Sequence, residues 1–153
     1  MTLTRIPVNS PVGQWMVEGD TDGVSRIYMP DEKPRPTVTA PARNVTNAAH
    51  QIEQYFARRR RQFDIQMRGA GTEFQVEVWL KISAIPYGEV RTYQEIAAEV
   101  GRPHAYRAVG NANNANPWPI VVPCHRVVAI NGLGGYAGGL DIKRFLLEFE
   151  GAL

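Results

Sequence analysis

The chain has 153 residues, 44% of them hydrophobic, and a formal net charge of +2. That suits one domain, or two small ones, with a buried core, and no apolar run approaches the roughly 20 residues that a bilayer crossing needs. A single cysteine excludes an internal disulfide and argues against a zinc site, so a reducing, cytoplasmic setting with no metal is expected.

Residues 3–8, 12–18 and 23–29 read as strands, broken by NSPVG and GDTDG. Residues 30–43 hold four of the eleven prolines and read as a connecting loop. NAAHQIEQYFARRRRQ, residues 47–62, spaces Ala49, Ile52 and Phe56 as one face of an amphipathic helix. FDIQM, 63–67, is a candidate fourth strand, and RGAG at 68–71 marks a boundary. The N-terminal stretch lacks the apolar core of a signal peptide.

The second half is mostly helical. Thr72 to Gln75 and Thr92 to Glu95 are capping-box patterns, opening helices to about Ala84 and Val100. Phe74, Val78 and Ile82 line one face of the first. A further helix runs from about Ala105 to Asn114, so helix, glycine-containing turn and helix form a helix-turn-helix. Ile120–Val122 read as a short buried strand ended by Pro123. GLGGYAGG is a glycine-rich loop, and Ile142, Phe145, Leu146 and Phe149 give a last amphipathic helix. The fold expected is α+β: a small N-terminal antiparallel sheet of three or four strands with a helix over residues 1–70, and a mostly helical domain containing the helix-turn-helix over 71–153.

Charge distribution points to a partner. From Gly101 to Leu140 there is no acidic residue, while Arg102, Arg107, Arg126, His104 and His125 fall inside that stretch. Such a surface suits a polyanion. The run Arg58–Arg61 lies at a helix end, where cations are favourable, and is read as structural or nonspecific.

The lone thiol sits in IVVPCHRVV, directly before a histidine. A thiol at its ordinary pKa is only a few per cent thiolate at neutral pH, and a nearby base raises its reactivity. Neighbouring side chains of an extended strand point to opposite faces. A Cys124–His125 pair therefore needs either a turn at Pro123 or a bridging group such as water. His125 in turn needs an orienting partner, and Glu148 and Glu150 are the nearest acids along the chain.

Five blocks carry a resemblance: IPYGEVRTYQEIAAEVG, YRAVGNANNANPWPIVVPCHRVV with its PCHRV core, GGYAGG, KRFLLEFEG and, more weakly, the N-terminal SPVG. In order and spacing they resemble the O6-alkylguanine-DNA alkyltransferases, most strongly from Gly71 to Gly151. The resemblance implies repair of duplex DNA by irreversible transfer of an alkyl group from O6 of guanine to Cys124, once per molecule and without cofactor. His125 would draw off the thiol proton through a water, held by Glu150, and Tyr93 would protonate guanine N3. Arg107 would fill the gap left by the flipped nucleotide. Small residues at Ala105, Ala108, Gly110 and Ala112 would let the helix approach the minor groove. Asn116 would brace the helix-turn-helix against the active-site turn. The Cys124 and Val127 carbonyls would read the exocyclic amine, Tyr136 and Ala137 would close the pocket, and Pro119 would form a wall. The partner implied is double-stranded DNA containing O6-alkylguanine, met by a monomer, with cooperative binding left open.

Departures from the family pattern are few. Ala137 stands where some relatives carry serine, and Asn113 where some carry a bulkier pocket residue. Some relatives bind zinc in the N-terminal domain, which here offers only His50 and no cysteine. Competing readings are a lesion-binding protein that does no chemistry, an alkylation-sensing regulator and a cysteine hydrolase. Cys124 opposes the first, the lack of a further DNA-binding domain the second, and the unexplained helix-turn-helix the third.

Overall fold

The computed structural model describes residues 3–32, 34–37 and 41–153. Lys33 and residues 38–40 of the expected proline-rich connection lie outside the described residues. The chain is α+β and divides into two compact units. One runs to Gly69 and includes Pro117–Val121; the other comprises Ala70–Asn116 and Val122–Leu153.

In the first unit, β1 (Thr4–Ser10), β2 (Gly13–Asp20) and β3 (Gly23–Tyr28) form an antiparallel sheet in the order β1-β2-β3. Trp15, Val17, Val24 and Ile27 of the sheet are buried, as are Val45, Ala48, Ala49, Ile52 and Tyr55 of α1 (Arg43–Phe56). The central strand β2 is buried on both faces from Trp15 to Asp20. Its inward Glu18 is met by Arg5 Nε at 2.7 Å and the Tyr28 hydroxyl at 3.1 Å, so the carboxylate is not left unpaired.

Helix α1 begins and ends earlier than the 47–62 expected. Its first turn has no side-chain cap, so no capping residue marks it in the sequence. Its end is set by Arg58, which adopts φ 61° while the Arg59 amide donates to Gln54 O at 2.8 Å. That is a Schellman stop, with arginine where glycine is usual. Arg58–Arg61 therefore lie beyond the helix, and Arg60 Nε donates back to Gln54 Oε1 at 2.8 Å.

The expected strand at 63–67 does not form. Met67 makes a single parallel bridge to Val24, flanked by Val24 N to Gln66 O and Arg68 N to Val24 O, both 2.9 Å. The rest of this edge is taken elsewhere: the Ile27 amide donates to Pro117 O at 2.8 Å, and Trp118 Nε1 to Val24 O at 2.9 Å. With its edge shared this way, β3 has no room for a full fourth strand.

The second unit holds α2 (Glu73–Ser83), β4 (Arg91–Thr92), α3 (Tyr93–Glu99), α4 (Tyr106–Asn114), a 3-10 turn (Cys124–Arg126), β5 (Val127–Val128) and α5 (Leu140–Phe149). Both capping boxes are formed. Gly101, at φ 78°, ends α3. Val78, Trp79 and Ile82 of α2 bury with Ile96 and Ala97 of α3 and Val109 and Ala112 of α4. Trp79 Nε1 donates to Ala112 O at 2.8 Å, pinning α4 on this core. Short β4 pairs in parallel with β5, a strand the sequence reading did not expect.

Ile120–Val122 are buried or half-buried but form no strand. Ile120 takes φ 74°, and Val122 O accepts from both the Cys124 amide at 2.7 Å and Asn116 Nδ2 at 2.8 Å. Those bonds bend the chain, and prolines at 117, 119 and 123 deny ladder donors.

Candidate active site

Pro123 does start a turn. It precedes the 3-10 turn Cys124–Arg126, which rotates successive side chains onto different sides of one buried segment. Cys124 is 2% exposed, and its thiol faces the side chains of Asn116 and Tyr136. Burial pushes the thiol pKa up; those hydrogen bonds and the nearby Lys143 charge act against the rise. The resting group is therefore a thiol, and it needs a base to become a nucleophile.

His125 is fully buried. Its Nε2 lies 2.9 Å from Glu150 Oε2, and its Nδ1 has no hydrogen-bond partner among the described residues. Facing a carboxylate, Nε2 carries the hydrogen and donates it, which leaves a lone pair on Nδ1. Burial lowers the imidazole pKa below its ordinary value; Glu150 opposes this, and the Arg126 and Lys143 charges reinforce it. Glu150 caps α5 and is itself buried. Burial favours its neutral form, but hydrogen bonds from His125 and Arg126 outweigh that and hold the carboxyl well below the usual range.

Two groups that sequence reasoning passed over complete the site. Arg126, 5% exposed, donates from Nε and Nη2 to the two Glu150 oxygens at 2.8 and 2.9 Å. Lys143 is fully buried, and its Nζ donates to Val127 O at 2.6 Å and Gly135 O at 2.9 Å. Burial drops the Lys143 pKa to about 8. The signal for Lys143 was present: Lys143, Leu146, Leu147 and Glu150 share one face of α5 at helical spacing. Reading the apolar stripe as Ile142, Phe145, Leu146 and Phe149 rotated that face; three of those four are only half-buried.

Tyr93 opens α3, and its hydroxyl reaches Gly135 O at 3.5 Å. Burial pushes its pKa up, so it stays protonated. Gly134 lies against it: a Cβ there would sit 2.7 Å from Tyr93 Oη, and its φ is 74°. Replacing Gly134 with alanine should strain the backbone and push Tyr93, lowering stability by roughly 1–3 kcal/mol. A thermal melt within a degree of the parent would show that the loop gives way freely. Tyr136 is half-buried and Ala137 exposed on the same loop.

On α4, Arg107 and Ala108 are exposed and Gly110 and N-cap Ala105 half-buried. Gly110 leaves its side open to the Tyr93 ring, 3.8 Å from where a Cβ would stand. Ala112 corrects the expected outward stripe: it is 3% exposed and packs inward, so its side chain is not on the outer face. Asn113, also buried, donates from Nδ2 to Cys124 O at 3.2 Å, tying α4 to the nucleophile's own backbone. Asn116 ties the end of the helix-turn-helix to Val122 O. Val127 O accepts from Lys143, and Pro119 is buried in the segment that groups with the first unit. Among the described residues no cluster of His, Cys, Asp and Glu is suited to a metal, and no helix is long and apolar enough to cross a membrane.

Residues 73–152 match the family model described as 6-O-methylguanine DNA methyltransferase, DNA binding domain. By class, then, the helix-turn-helix unit with its buried cysteine is the DNA-binding domain of a methyltransferase. Methylated-DNA–protein-cysteine methyltransferases from Methanosarcina acetivorans and, in the constitutive form, Bacillus subtilis are 48% and 41% identical to this chain. They align over 94% and 92% of this chain and 95% and 91% of their own. The crystal structure of the Mycobacterium tuberculosis O6-methylguanine methyltransferase matches with a TM-score of 0.86 at 39% identity, covering 99% of this chain and 94% of that one. A structure of the tuberculosis protein in complex with DNA gives 0.85 at 41% identity, covering 98% and 92%. The chain belongs to the methylated-DNA–protein-cysteine methyltransferase family.

Proposed function

We propose that the protein repairs duplex DNA by moving the alkyl group of O6-alkylguanine onto Cys124, once per molecule. The observation that carries this is the buried run of thiol, imidazole and carboxylate on one turn and one helix end, beside a helix-turn-helix. A thiol this deep cannot meet a stacked guanine, so the base is flipped out to it, at a cost of a few kcal/mol. Arg107, long, cationic and exposed on α4, takes the place of the departing nucleotide. The outward small residues Ala105, Ala108 and Gly110 allow the backbone to approach the minor groove, whose degenerate pattern suits inspection of any sequence.

The thiol proton passes through a water to the lone pair of His125 Nδ1, and Glu150 stabilises the imidazolium. The sulfur then attacks the alkyl carbon. The S–C bond forms as the C–O6 bond breaks, the bonding pair stays on the base, and guanine N3 takes a proton from Tyr93. Asn116 and Tyr136 orient the sulfur, the Cys124 and Val127 carbonyls meet the exocyclic amine, and the loop at Tyr136–Ala137 covers O6. The product is a thioether, which no group here can hydrolyse, and that supports a single turnover.

The decisive measurement is an intact mass after mixing with an oligonucleotide containing O6-methylguanine. The expected result is one methyl on the Cys124 peptide, at no more than one equivalent, and none in a Cys124→Ser variant. Tight binding with unchanged mass would replace this reading with lesion binding alone, and repeated turnover would sink the single-use mechanism.

A further inference from the structure

We propose that Arg126 is a positioning residue that keeps His125 uncharged by taking the charge of Glu150 onto itself. The role rests on the transfer reading above, because it matters only if His125 must accept a proton. A carboxylate beside an imidazole ordinarily favours the protonated ring. Glu150 raises the ring's affinity for a proton against the effect of burial, and a charged ring would have no lone pair for the thiol proton.

Arg126 alters that balance. It meets Glu150 at two points, Nε on Oε1 and Nη2 on Oε2, and its third arm, Nη1, donates to Ile85 O at 2.7 Å. The Tyr87 ring lies 5.6 Å below its guanidinium carbon. These contacts fix the guanidinium, and it cannot deprotonate. The Glu150 charge is therefore fully matched before His125 is considered. A proton added to the ring would leave a net positive charge inside the fold, which burial resists.

The titratable and charged groups facing His125 are Glu150 and Lys143 from α5, and Cys124 and Arg126 from its own turn. Of the fixed charges among the described residues, Glu150 favours the imidazolium, while Lys143 and Arg126 oppose it. The exception is the moment when the thiol gives up its proton. The thiolate then appears together with the imidazolium, and the net charge of the site does not change. Glu150 still fixes the ring by its hydrogen bond, so orientation and charge are handled by different partners of one carboxylate.

Two experiments test this. The chain has three histidines, and His50 and His104 are exposed. Replacing those two with glutamine leaves His125 as the only ring in a histidine-labelled NMR titration of the full chain. The ring should stay neutral, with hydrogen on Nε2, from pH 8 to below pH 6, under the ordinary imidazole value near 6.5. A charged ring at pH 7 would overturn the proposal. In parallel, single-turnover transfer by Arg126→Gln is followed against pH. The acid limb should move up by about one pH unit or more, as expected when a neighbouring charge is removed, with the rate recovering at high pH. Arg126→Lys should restore much of the parent profile. An equal loss at every pH would mark Arg126 as merely structural and overturn the role. If Arg126→Gln fails to fold, the ring titration is repeated on Arg126→Lys, where a ring pKa no higher than the parent's would overturn the role. That titration needs no transfer: a neutral ring in a protein that gains no methyl would sink the transfer reading and leave the electrostatic role standing.

Discussion

Replacing Glu150 with glutamine is expected to lower stability by about 3–5 kcal/mol, because it leaves the charge of Arg126 buried and unpaired. Arg126 is 5% exposed and His125 fully buried, so neither can turn to water. The same change should slow alkyl transfer by roughly 10²-fold or more, the usual scale for loss of a working general base. One carboxylate oxygen would become an NH2 donor, so His125 and Arg126 would compete for the single acceptor oxygen that remains. The pH dependence has a definite sign. The folded carboxyl sits well below its ordinary value of 4.5. Its contribution is therefore fully present above that value and is lost as pH falls toward the folded value. Denaturant unfolding should show a constant gap between parent and Glu150→Gln at neutral pH, closing only on the acid side. A gap that stayed open at acid pH would mean the loss came from packing rather than charge.

The parts of the site that the sequence announced are those with local chemical signatures. Thr72 and Thr92 are followed three residues on by Gln75 and Glu95, and both helices begin there. Cys124 beside His125 raised the need for a turn at Pro123 or a bridging group, and the 3-10 turn supplies the first. What was not legible depended on distant partners. The Arg126 and Lys143 side chains look like surface cations until Glu150, Ile85, Val127 and Gly135 are brought to them. Helix α1 lacks a capping side chain at its start, so its apolar spacing was visible but its limits were not. Ile120–Val122 have strand-forming side chains, yet Asn116 and the Cys124 amide claim the Val122 carbonyl, and local propensity yields to that turn.

Lys143 is the second buried charge on which the site depends. Its ammonium joins Val127 O, at the end of the active-site turn, to Gly135 O, in the loop that carries Tyr136. It also lies 5.9 Å from the centre of the Tyr93 ring. Lys143→Met fills similar space but leaves both carbonyls without this donor. The loop should loosen over the pocket, and transfer should fall at least about tenfold, equivalent to roughly 1.4 kcal/mol of lost positioning. Stability carries the independent signature. The folded lysine titrates near pH 8 against an ordinary 10.5. Below 8 both states are charged and the burial penalty is paid in full. Between 8 and 10.5 the unfolded chain holds more protons, so rising pH relieves that penalty. Parent stability should therefore climb, from this group, by at most about 1.4 kcal/mol per pH unit across that window. Lys143→Met removes the climb, so the stability difference between parent and variant should grow in the parent's favour from pH 8 to 10.5. Parallel curves would mean that burial does not lower the Lys143 pKa, so that the ammonium stays charged across this window in the folded chain as in the unfolded one.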